Sequence, residues 1–160
     1  MDERQLASER PVDMVKRLCA AKAEAISATE ADDRVVIAAD TIVVRDDVVL
    51  GKPSDAAEAA VMLRSLAGRS HAVITGFAVL RGGDRVVDAI TTEVHFRDLD
   101  DAQIERYVST GEPLDKAGAY GIQGIGALLV RSIEGSYTNV VGLPLVEVLE
   151  AVAAMGGPRL

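Results

Sequence analysis

An unbroken apolar run at residues 35–39 is the feature that most restricts how this chain can fold. Such a run is typical of a strand covered on both faces of a sheet, because successive side chains point to opposite faces. The run meets Asp40 and Thr41, and the apolar character resumes at residues 42–44. The chain is therefore expected to build a sheet with cover on both sides and to place a carboxylate where the run ends.

Four helices that could provide this cover are predicted from caps and apolar spacing. Pro11 opens the first, because its ring holds φ at a value suited to a first helical turn. On that helix Lys22 and Ile26 fall on the inward apolar stripe. Asp55 followed three residues later by Glu58 is a capping-box pattern that starts the second helix. The predicted ranges are residues 11–29, 55–68, 100 or 101 to 111, and 144–156.

Several more strands are predicted around these helices. Gly76 lies inside one of them, which indicates a bulge or the close approach of another backbone. Residues 81–84, Arg-Gly-Gly-Asp, are typical of a hairpin connection, and residues 136–142 are predicted as a loop. The strand segments are residues 48–50, 72–80, 86–96 and 127–130. This mixture of strands and helices predicts an α/β or α+β chain with a mixed sheet.

Length and charge exclude several classes of function. With 160 residues the chain has the size of one domain, and its net charge is −8. An acidic chain is a poor candidate for general nucleic-acid binding, and a polyanionic ligand would need local positive charge or a metal. No apolar run approaches the length of a membrane span, so no membrane partner is expected. Cys19 is the only cysteine, which fits a reducing, cytoplasmic setting.

Positive charge is carried mostly by arginine, with thirteen arginines against four lysines. Three of the lysines, Lys22, Lys52 and Lys116, stand on an apolar helix side or beside carboxylates and glycines. Lysine is a compact point charge, whereas arginine is a planar fork. Compact charges in such places favour a phosphate-bearing ligand held with a hard cation, although four lysines could also be placed so by chance.

Three places along the chain carry candidate chemistry. Asp40 ends an apolar strand, where it could hold a metal or act as a base, or could simply cap a turn. Lys52 precedes a helix start, which is a favourable anion site or a solvated loop position, and the spacing is not that of a Walker A loop. Residues 118–126 contain four glycines, so backbone can approach a ligand there, or the segment is only a flexible connection. Within it, Gln123 offers the acceptor and donors that a nucleobase edge requires.

The two histidines are weaker candidates. His71 and His95 are far apart and lack metal-ligand spacing, so both are predicted to be structural or surface residues. Without a Cys/His cluster, any metal would be Mg²⁺ or Mn²⁺ on oxygen ligands. Taken alone, the residues predict a metal-assisted hydrolase of a phosphorylated small molecule.

Taken together and in order, the motifs resemble the Maf family of nucleoside triphosphate pyrophosphatases, also called septum formation inhibitors. The motifs are AADTIVV at residues 38–44, LGKP at 50–53, TG at 75–76, GEPLDKAGAYGIQG at 111–124 and EGSYTNVVGLP at 134–144. The resemblance implies an α/β fold related to the inosine triphosphatase-like enzymes. In that fold an elongated mixed sheet is flanked by helices, with a cleft between two lobes. It also implies cleavage of a nucleoside triphosphate to the monophosphate and pyrophosphate with a divalent cation.

The resemblance also implies roles for individual residues. Asp40 would be the catalytic acid, either as the general base that activates water or as a holder of the metal, with Glu3 as a second metal contact. Phosphate would be met by Lys22 and Lys52, with Lys116 and Asp115 close to the site. The pairing of Thr41, after the catalytic Asp, with Gln123 resembles the dTTP/UTP-specific branch, whereas the 7-methyl-GTP branch has Gln and Glu at these places. An amide can pair with the uracil or thymine edge, which needs both a donor and an acceptor.

One departure from the family lies at the start of the chain. Family members begin with a strand and a Ser- and Arg-rich phosphate-binding loop, whereas this chain starts at Met1-Asp2-Glu3, where the family's acidic pair falls. The expectation is a single Maf-like domain over residues 1–160, truncated at its N-terminus relative to the family. Two alternatives to a dTTP/UTP enzyme stay open: a catalytically weak regulator of cell division, and a pyrophosphatase with another base preference. The resemblance makes a homodimer plausible.

Overall fold

The computed structural model describes residues 4–30 and 33–159. In these ranges a five-stranded sheet is combined with five α-helices and three short 3₁₀ helices. The strands are β1 Val36–Arg45, β2 Val48–Leu50, β3 Ser70–Arg81, β4 Asp84–Phe96 and β5 Val130–Glu134. The helices are α1 Pro11–Ser27, α2 Ala56–Leu66, α3 Asp101–Ser109, α4 Tyr137–Val141 and α5 Leu145–Ala154. The 3₁₀ helices are Glu112–Asp115, Ala117–Ala119 and Gly124–Leu129.

The sheet order is β2-β1-β3-β4-β5, and every pairing in the described part of the chain is antiparallel. The α/β class is therefore confirmed, but the expectation of a mixed sheet is not met by these strands. Two connections account for two of the four pairings: β1 and β2, and β3 and β4, are joined by two-residue turns, and such turns can join only antiparallel strands. Asp46 and Asp47 both have positive φ, which matches the twist of a tight hairpin.

Helix α1 covers one face of the sheet, called here the α1 face. Alternate residues of β3, among them Ile74, Ala78 and Leu80, pack against it in two hydrophobic clusters. Gly76 lies in the same row, and a Cβ there would stand 2.5 Å from the carbonyl oxygen of Val15. The prediction of a close backbone approach at Gly76 is confirmed, because only a glycine lets α1 lie this near the strand.

The opposite face, called here the cleft face, carries two separate hydrophobic clusters. One joins α2 and α3 to the sheet through residues such as Leu63, Ile104 and Val73. The other joins α5 to Phe77 and Val79. Thr75, which is fully buried, lies between Val73 and Phe77 on this face and so separates the two clusters along β3. The cleft between two lobes that the family resemblance implies corresponds to this division.

Helix starts follow the predicted caps closely. The Asp55 side chain accepts from the Glu58 N–H at 2.8 Å, but the Glu58 carboxylate bonds to Ser54, so only half of the capping box forms. Asp100 and Gln103 form a complete capping box at α3. None of the helices in the described ranges is long and apolar enough to cross a membrane.

Some local predictions were wrong. Ile26 is 54% exposed rather than inward, because Ala23 already packs at the end of the sheet and the next helical turn extends past it. Ile37 is also exposed, so cover on both faces is complete only further along β1.

The predicted strand at 127–130 and the predicted loop at 136–142 also differ from the structure. Gly124–Leu129 forms a 3₁₀ helix, and β5 begins at Val130. A short apolar run has no periodicity that separates strand from helix, which explains the first error. Residues 136–142 contain α4, where the Ser136 side chain accepts from the Asn139 N–H at 3.2 Å. Ser136 is thus an N-cap that the prediction missed.

Candidate active site

A cavity of about 290 Å³ opens on the cleft face. It contains four of the five residues predicted to bind substrate, namely Thr41, Lys52, Lys116 and Gln123. Apolar residues of β1, β3 and α4 form other parts of its wall, and these are Val43, Val73, Val140 and Val141. The cavity therefore combines an apolar floor with two ammonium groups and one amide, as expected of a small-molecule site.

The pairing of β2 with β1 places Lys52 at this cavity. β2 pairs with β1 only at residues 43–45, with Leu50 opposite Val43. The chain leaves β2 in the direction of Thr41, so Gly51 and Lys52 follow the edge of β1. The Gly118 N–H donates to the Gly51 carbonyl oxygen at 3.0 Å, which ties this turn to the glycine-rich segment.

The two cavity lysines differ in their surroundings. Lys116 Nζ lies 2.6 Å from Asp115 Oδ1, and its hydrogen bond and charge lower the pKa of that carboxyl. The aliphatic part of Lys116 lies against Gly121, where a Cβ would stand 2.9 Å from both Cδ and Cε. Lys52 has no ion pair with the residues that the structure describes. Lys52 is thus the cavity cation with the most capacity for an anionic ligand.

The segment that carries Gln123 is held by Tyr107 and Glu112. Glu112 accepts from the backbone N–H groups of Gly126, at 2.8 Å, and Ile125, at 3.0 Å. The Tyr107 hydroxyl donates to Glu112 at 2.9 Å and accepts from the Gly121 N–H at 3.3 Å. Gln123 therefore lies between two anchored points, and the segment is ordered rather than a flexible connection.

The pKa values of this pair follow from their contacts. Burial raises the pKa of Tyr107, and the neighbouring Glu112 charge adds to the shift. Burial also acts to raise the pKa of Glu112, but the N–H groups of Gly126 and Ile125 and the tyrosine hydroxyl outweigh it and lower the pKa. Glu112 is therefore held as a carboxylate that stabilises backbone N–H groups. This role was not predicted from the sequence, because Glu112 is 13 and 14 residues away from its partners Ile125 and Gly126.

A chain of buried polar groups lies beneath Thr41. Thr41 Oγ1 and Thr75 Oγ1 are 2.8 Å apart, and the Thr75 hydroxyl donates to the Asn139 carbonyl oxygen at 2.9 Å. The Asn139 side-chain amide donates to the Val73 carbonyl oxygen and to Thr92 Oγ1. Thr75, Thr92 and Asn139 are all fully buried. These bonds attach α4, which lines the cavity, to the centre of the sheet.

Asp40 lies on the other face of the sheet from the cavity. Its carboxylate is hydrogen-bonded to the Lys22 ammonium of α1, and its side chain is only 15% exposed. Asp40 and Thr41 are consecutive in a strand, so their side chains point to opposite faces. Asp40 and Lys22 are thus brought together as a pair, and neither lines the cavity around Thr41.

The two halves of the site meet at the edge of β1. Beside Asp40 and Thr41 this edge has no neighbouring strand among the described residues, since β2 pairs further along. A ligand that passes over the edge could contact the cavity on one face and the Asp40–Lys22 pair on the other. Glu3, the second predicted metal contact, lies outside the described residues.

His71 is a structural residue, as predicted. Its ring makes edge-on contacts with Phe96 and Tyr120, and its Nε2 is 2.7 Å from the Tyr120 hydroxyl. Burial lowers the pKa of His71 to about 4, with a smaller effect of the His95 charge. The imidazole is therefore neutral at physiological pH.

The structure places His95 beside two carboxylates, which the spacing in the sequence did not indicate. Its Nε2 lies 3.3 Å from Glu134 and 3.8 Å from Glu93, and one ligand atom from each lies within 4.8 Å of the others. Glu93 pairs with Ala72, four residues along β3 from Gly76, which is opposite Asp40. This group therefore lies roughly 13 Å along the strands from the Asp40–Lys22 pair and forms no part of the cavity.

Fold and site together define an α/β protein in which a lysine-containing, glycine-lined cavity meets a carboxylate–ammonium pair across the edge of one sheet. The chain belongs to the Maf family: the model of the Maf-like protein family matches residues 1–155.

Three of the relatives that this chain resembles have the same name. A protein from Syntrophotalea carbinolica named dTTP/UTP pyrophosphatase is 54% identical over 161 residues, covering 99% of this chain and 73% of the relative. A protein of the same name from Moorella thermoacetica is 56% identical over 149 residues, covering 91% of this chain and 76% of the relative. One from Geobacter sp. strain M21 is 52% identical over 159 residues, covering 98% and 81%.

Proposed function

We propose that this chain is a nucleoside triphosphate pyrophosphatase that hydrolyses dTTP and UTP to the monophosphate and pyrophosphate. The observation that carries the proposal is that two ammonium groups, an ordered amide and a carboxylate lie around one open strand edge. These groups belong to Lys52, Lys116, Gln123 and Asp40. The names of relatives about half identical over nearly the whole chain support the same activity and the same bases.

In this proposal the base occupies the cavity on the cleft face. The apolar side chains of Val43 and Val73 pack against the ring, and the Gln123 amide donates a hydrogen bond to a carbonyl group of its edge. Thr41 supplies a hydroxyl from the floor of the cavity. Gln123 can act as a reader of the base because Tyr107 and Glu112 hold the backbone on both sides of it.

The triphosphate lies along the open edge of β1. Lys52 and Lys116 face it from the cavity, and Lys22 meets it on the α1 face, so positive charge is available at both ends of the phosphate chain. This local charge offsets the net charge of −8 on the whole chain.

Asp40 accepts the proton of the attacking water. The water oxygen forms a bond to the α-phosphorus, the bond from that phosphorus to the bridging oxygen breaks, and pyrophosphate leaves with the electron pair. The Lys22 ammonium holds the Asp40 carboxylate in place for this transfer.

A divalent cation, Mg²⁺ or Mn²⁺, fits the donor set at this place. Asp40 offers a hard oxygen ligand at the strand edge, and Mg²⁺ commonly binds through one or two carboxylates together with substrate phosphates. Glu3 is the proposed second carboxylate. When bound, the cation neutralises developing charge on the phosphates.

The cellular setting is part of the same proposal. Cys19 is buried and unpaired, and burial raises the pKa of its thiol to about 11, which fits a reduced, unreactive cysteine in the cytoplasm. A homodimer stays a prediction.

The test is pyrophosphate release from a panel of nucleoside triphosphates with Mg²⁺ or Mn²⁺. We expect release to be fastest with dTTP and UTP. The variant Asp40→Asn should lose more than nine-tenths of kcat, because an amide can neither take the proton nor hold a cation well. Asp84→Asn, at the exposed first residue of β4, makes the same chemical change away from the site and should leave kcat unchanged.

Three results would contradict the proposal. Absence of release from every nucleotide would exclude the activity, and faster release from purine nucleotides would exclude the base preference. Retention of more than a tenth of kcat in a folded Asp40→Asn variant would remove Asp40 from its role.

A further inference from the structure

We propose that the buried Thr75 fixes the hydroxyl of Thr41 as a hydrogen-bond acceptor toward the cavity, so that the site selects a base with an N–H donor. This inference rests on the proposed function, and it assigns Thr75 as a positioning residue for base selection. The donor that we assign to the ligand is the N3–H of uracil or thymine.

The direction of each hydrogen bond follows from the number of protons. Thr75 Oγ1 lies 2.9 Å from the Asn139 carbonyl oxygen, which can only accept, so the single hydroxyl proton of Thr75 is committed there. Thr41 Oγ1 lies 2.8 Å from Thr75 Oγ1. Since Thr75 has no second proton, Thr41 must be the donor in this contact. Thr75 is fully buried, so no solvent competes for these bonds.

The Asn139 carbonyl oxygen, which accepts the hydrogen bond from Thr75, is held in place by the other contacts of Asn139. Asn139 is fully buried, and its side-chain amide donates to the Val73 carbonyl oxygen at 3.1 Å and to Thr92 Oγ1 at 2.9 Å. Its own N–H donates to Ser136 Oγ at 3.2 Å. The Asn139 carbonyl oxygen therefore stays opposite Thr75. The direction of the hydrogen bonds from Thr41 to Thr75 and from Thr75 to Asn139 is thus set from the centre of the sheet.

Toward the cavity, Thr41 can then only accept. Its one proton is used by Thr75, and both lone pairs of its oxygen remain. Gly142 lines the cavity beside it, and a Cβ at that position would stand 3.6 Å from Thr41 Oγ1, so the glycine leaves the oxygen uncovered.

Pyrimidine bases respond to this polarity in opposite ways. Uracil and thymine present N3–H between two carbonyl groups, which matches an acceptor at Thr41. Cytosine presents a bare N3, so two acceptors would face each other. A site whose buried acceptor needs a donor from the ligand strongly rejects a ligand without that donor, because the buried acceptor is then left unpaired. The Thr75–Asn139 bond would thus separate UTP from CTP without touching either.

The test compares kcat/KM for UTP and CTP in the wild type and in Thr75→Val. Valine keeps the branched shape but removes the oxygen, so the Thr41 hydroxyl is released and can donate into the cavity. We expect the UTP-to-CTP ratio to fall at least tenfold. Thr75→Ser, which keeps the hydroxyl, should retain the ratio. Thr91→Val makes the same change at an exposed position of β4 and should also retain it.

A ligand variant tests the same point without a mutation. Wild-type enzyme should lose at least tenfold in kcat/KM on N3-methyl-UTP, while 3′-deoxy-UTP should resemble UTP. An unchanged ratio in a folded Thr75→Val variant, or equal use of N3-methyl-UTP and UTP, would overturn the inference. A loss with 3′-deoxy-UTP alone would instead assign Thr41 to the sugar and overturn it as well.

The proposed activity is judged separately in the same experiment. If the wild type releases no pyrophosphate from UTP, the proposed function fails and the assignment that depends on it falls. If the wild type is active but its ratio does not depend on Thr75, only the inference about Thr75 fails.

Discussion

Removal of the Glu112 carboxylate is the sharpest test of how the cavity is held together. In Glu112→Ala, the N–H groups of Ile125 and Gly126 and the hydroxyl of Tyr107 all lose their acceptor. In Glu112→Gln, one oxygen can still serve Tyr107 and Gly126, but an NH₂ group faces the Ile125 N–H and the charge is lost.

The expected cost follows from this count of bonds. A hydrogen bond contributes a net of about 1 kcal/mol to stability, so three lost bonds predict a loss of about 3 kcal/mol for Glu112→Ala. One lost bond predicts about 1 kcal/mol for Glu112→Gln. Bonds to a charged group are stronger, but the Glu112 side chain is only partly buried and water replaces part of what is lost.

Activity should fall together with stability. Gln123 lies between Gly121, which Tyr107 holds, and Ile125, which Glu112 holds, so it loses its position when the pair is broken. Misplacement of a substrate-orienting group by about 1 Å can cost on the order of a hundredfold in rate. We expect kcat/KM for UTP to fall at least tenfold in Glu112→Ala.

The assays are urea unfolding and pyrophosphate release, with Glu105→Ala and Glu105→Gln as controls. Glu105 is an exposed carboxylate on α3, and its substitution changes the net charge by the same amount as the substitution of Glu112. Because the pKa of Glu112 is lowered, its contribution exists above the usual range of a glutamate carboxyl and disappears as pH falls through the folded pKa. The stability difference between wild type and Glu112→Gln should therefore shrink on acidification. A folded Glu112→Ala variant with unchanged stability and unchanged kcat/KM would refute the idea that Glu112 and Tyr107 hold the segment around Gln123.

Two further predictions concern the base reader and the buried imidazole. Gln123→Glu should weaken kcat/KM for dTTP and UTP relative to other bases, because one amide donor is lost and a hydrogen bond is worth about 1 kcal/mol; equal ratios across bases would count against this role. Burial lowers the pKa of His71 to about 4. As pH falls from the usual histidine pKa toward 4, the unfolded state binds a proton that the folded state does not, so the folded protein loses stability. Urea unfolding should show about 2 kcal/mol of this loss between pH 7.5 and 5, absent from His71→Gln; equal pH dependence would disprove it.

Much of the local architecture was predictable from short-range chemistry. Pro11, Asp55 and Asp100 mark helix starts because caps act within one turn, and Gly76 marks a backbone approach that no side chain permits. The family motifs also placed Lys52, Lys116 and Gln123 in one site, and the structure does bring them to one cavity. The short 3₁₀ helix before β5 escaped prediction, since it depends on the distant acceptor Glu112.

The sequence by itself determined the residue types of the site and the strand that carries Asp40 and Thr41. Tertiary structure alone decided which face each of these two occupies: α1 covers the Asp40 face and supplies Lys22, while the cavity forms on the Thr41 face. It also decided the polarity of Thr41, because Thr75 and Asn139 are separated by 64 residues and meet only when α4 docks on β3. The physical reason is that a hydroxyl can donate or accept, and only its buried neighbours commit it to one of the two.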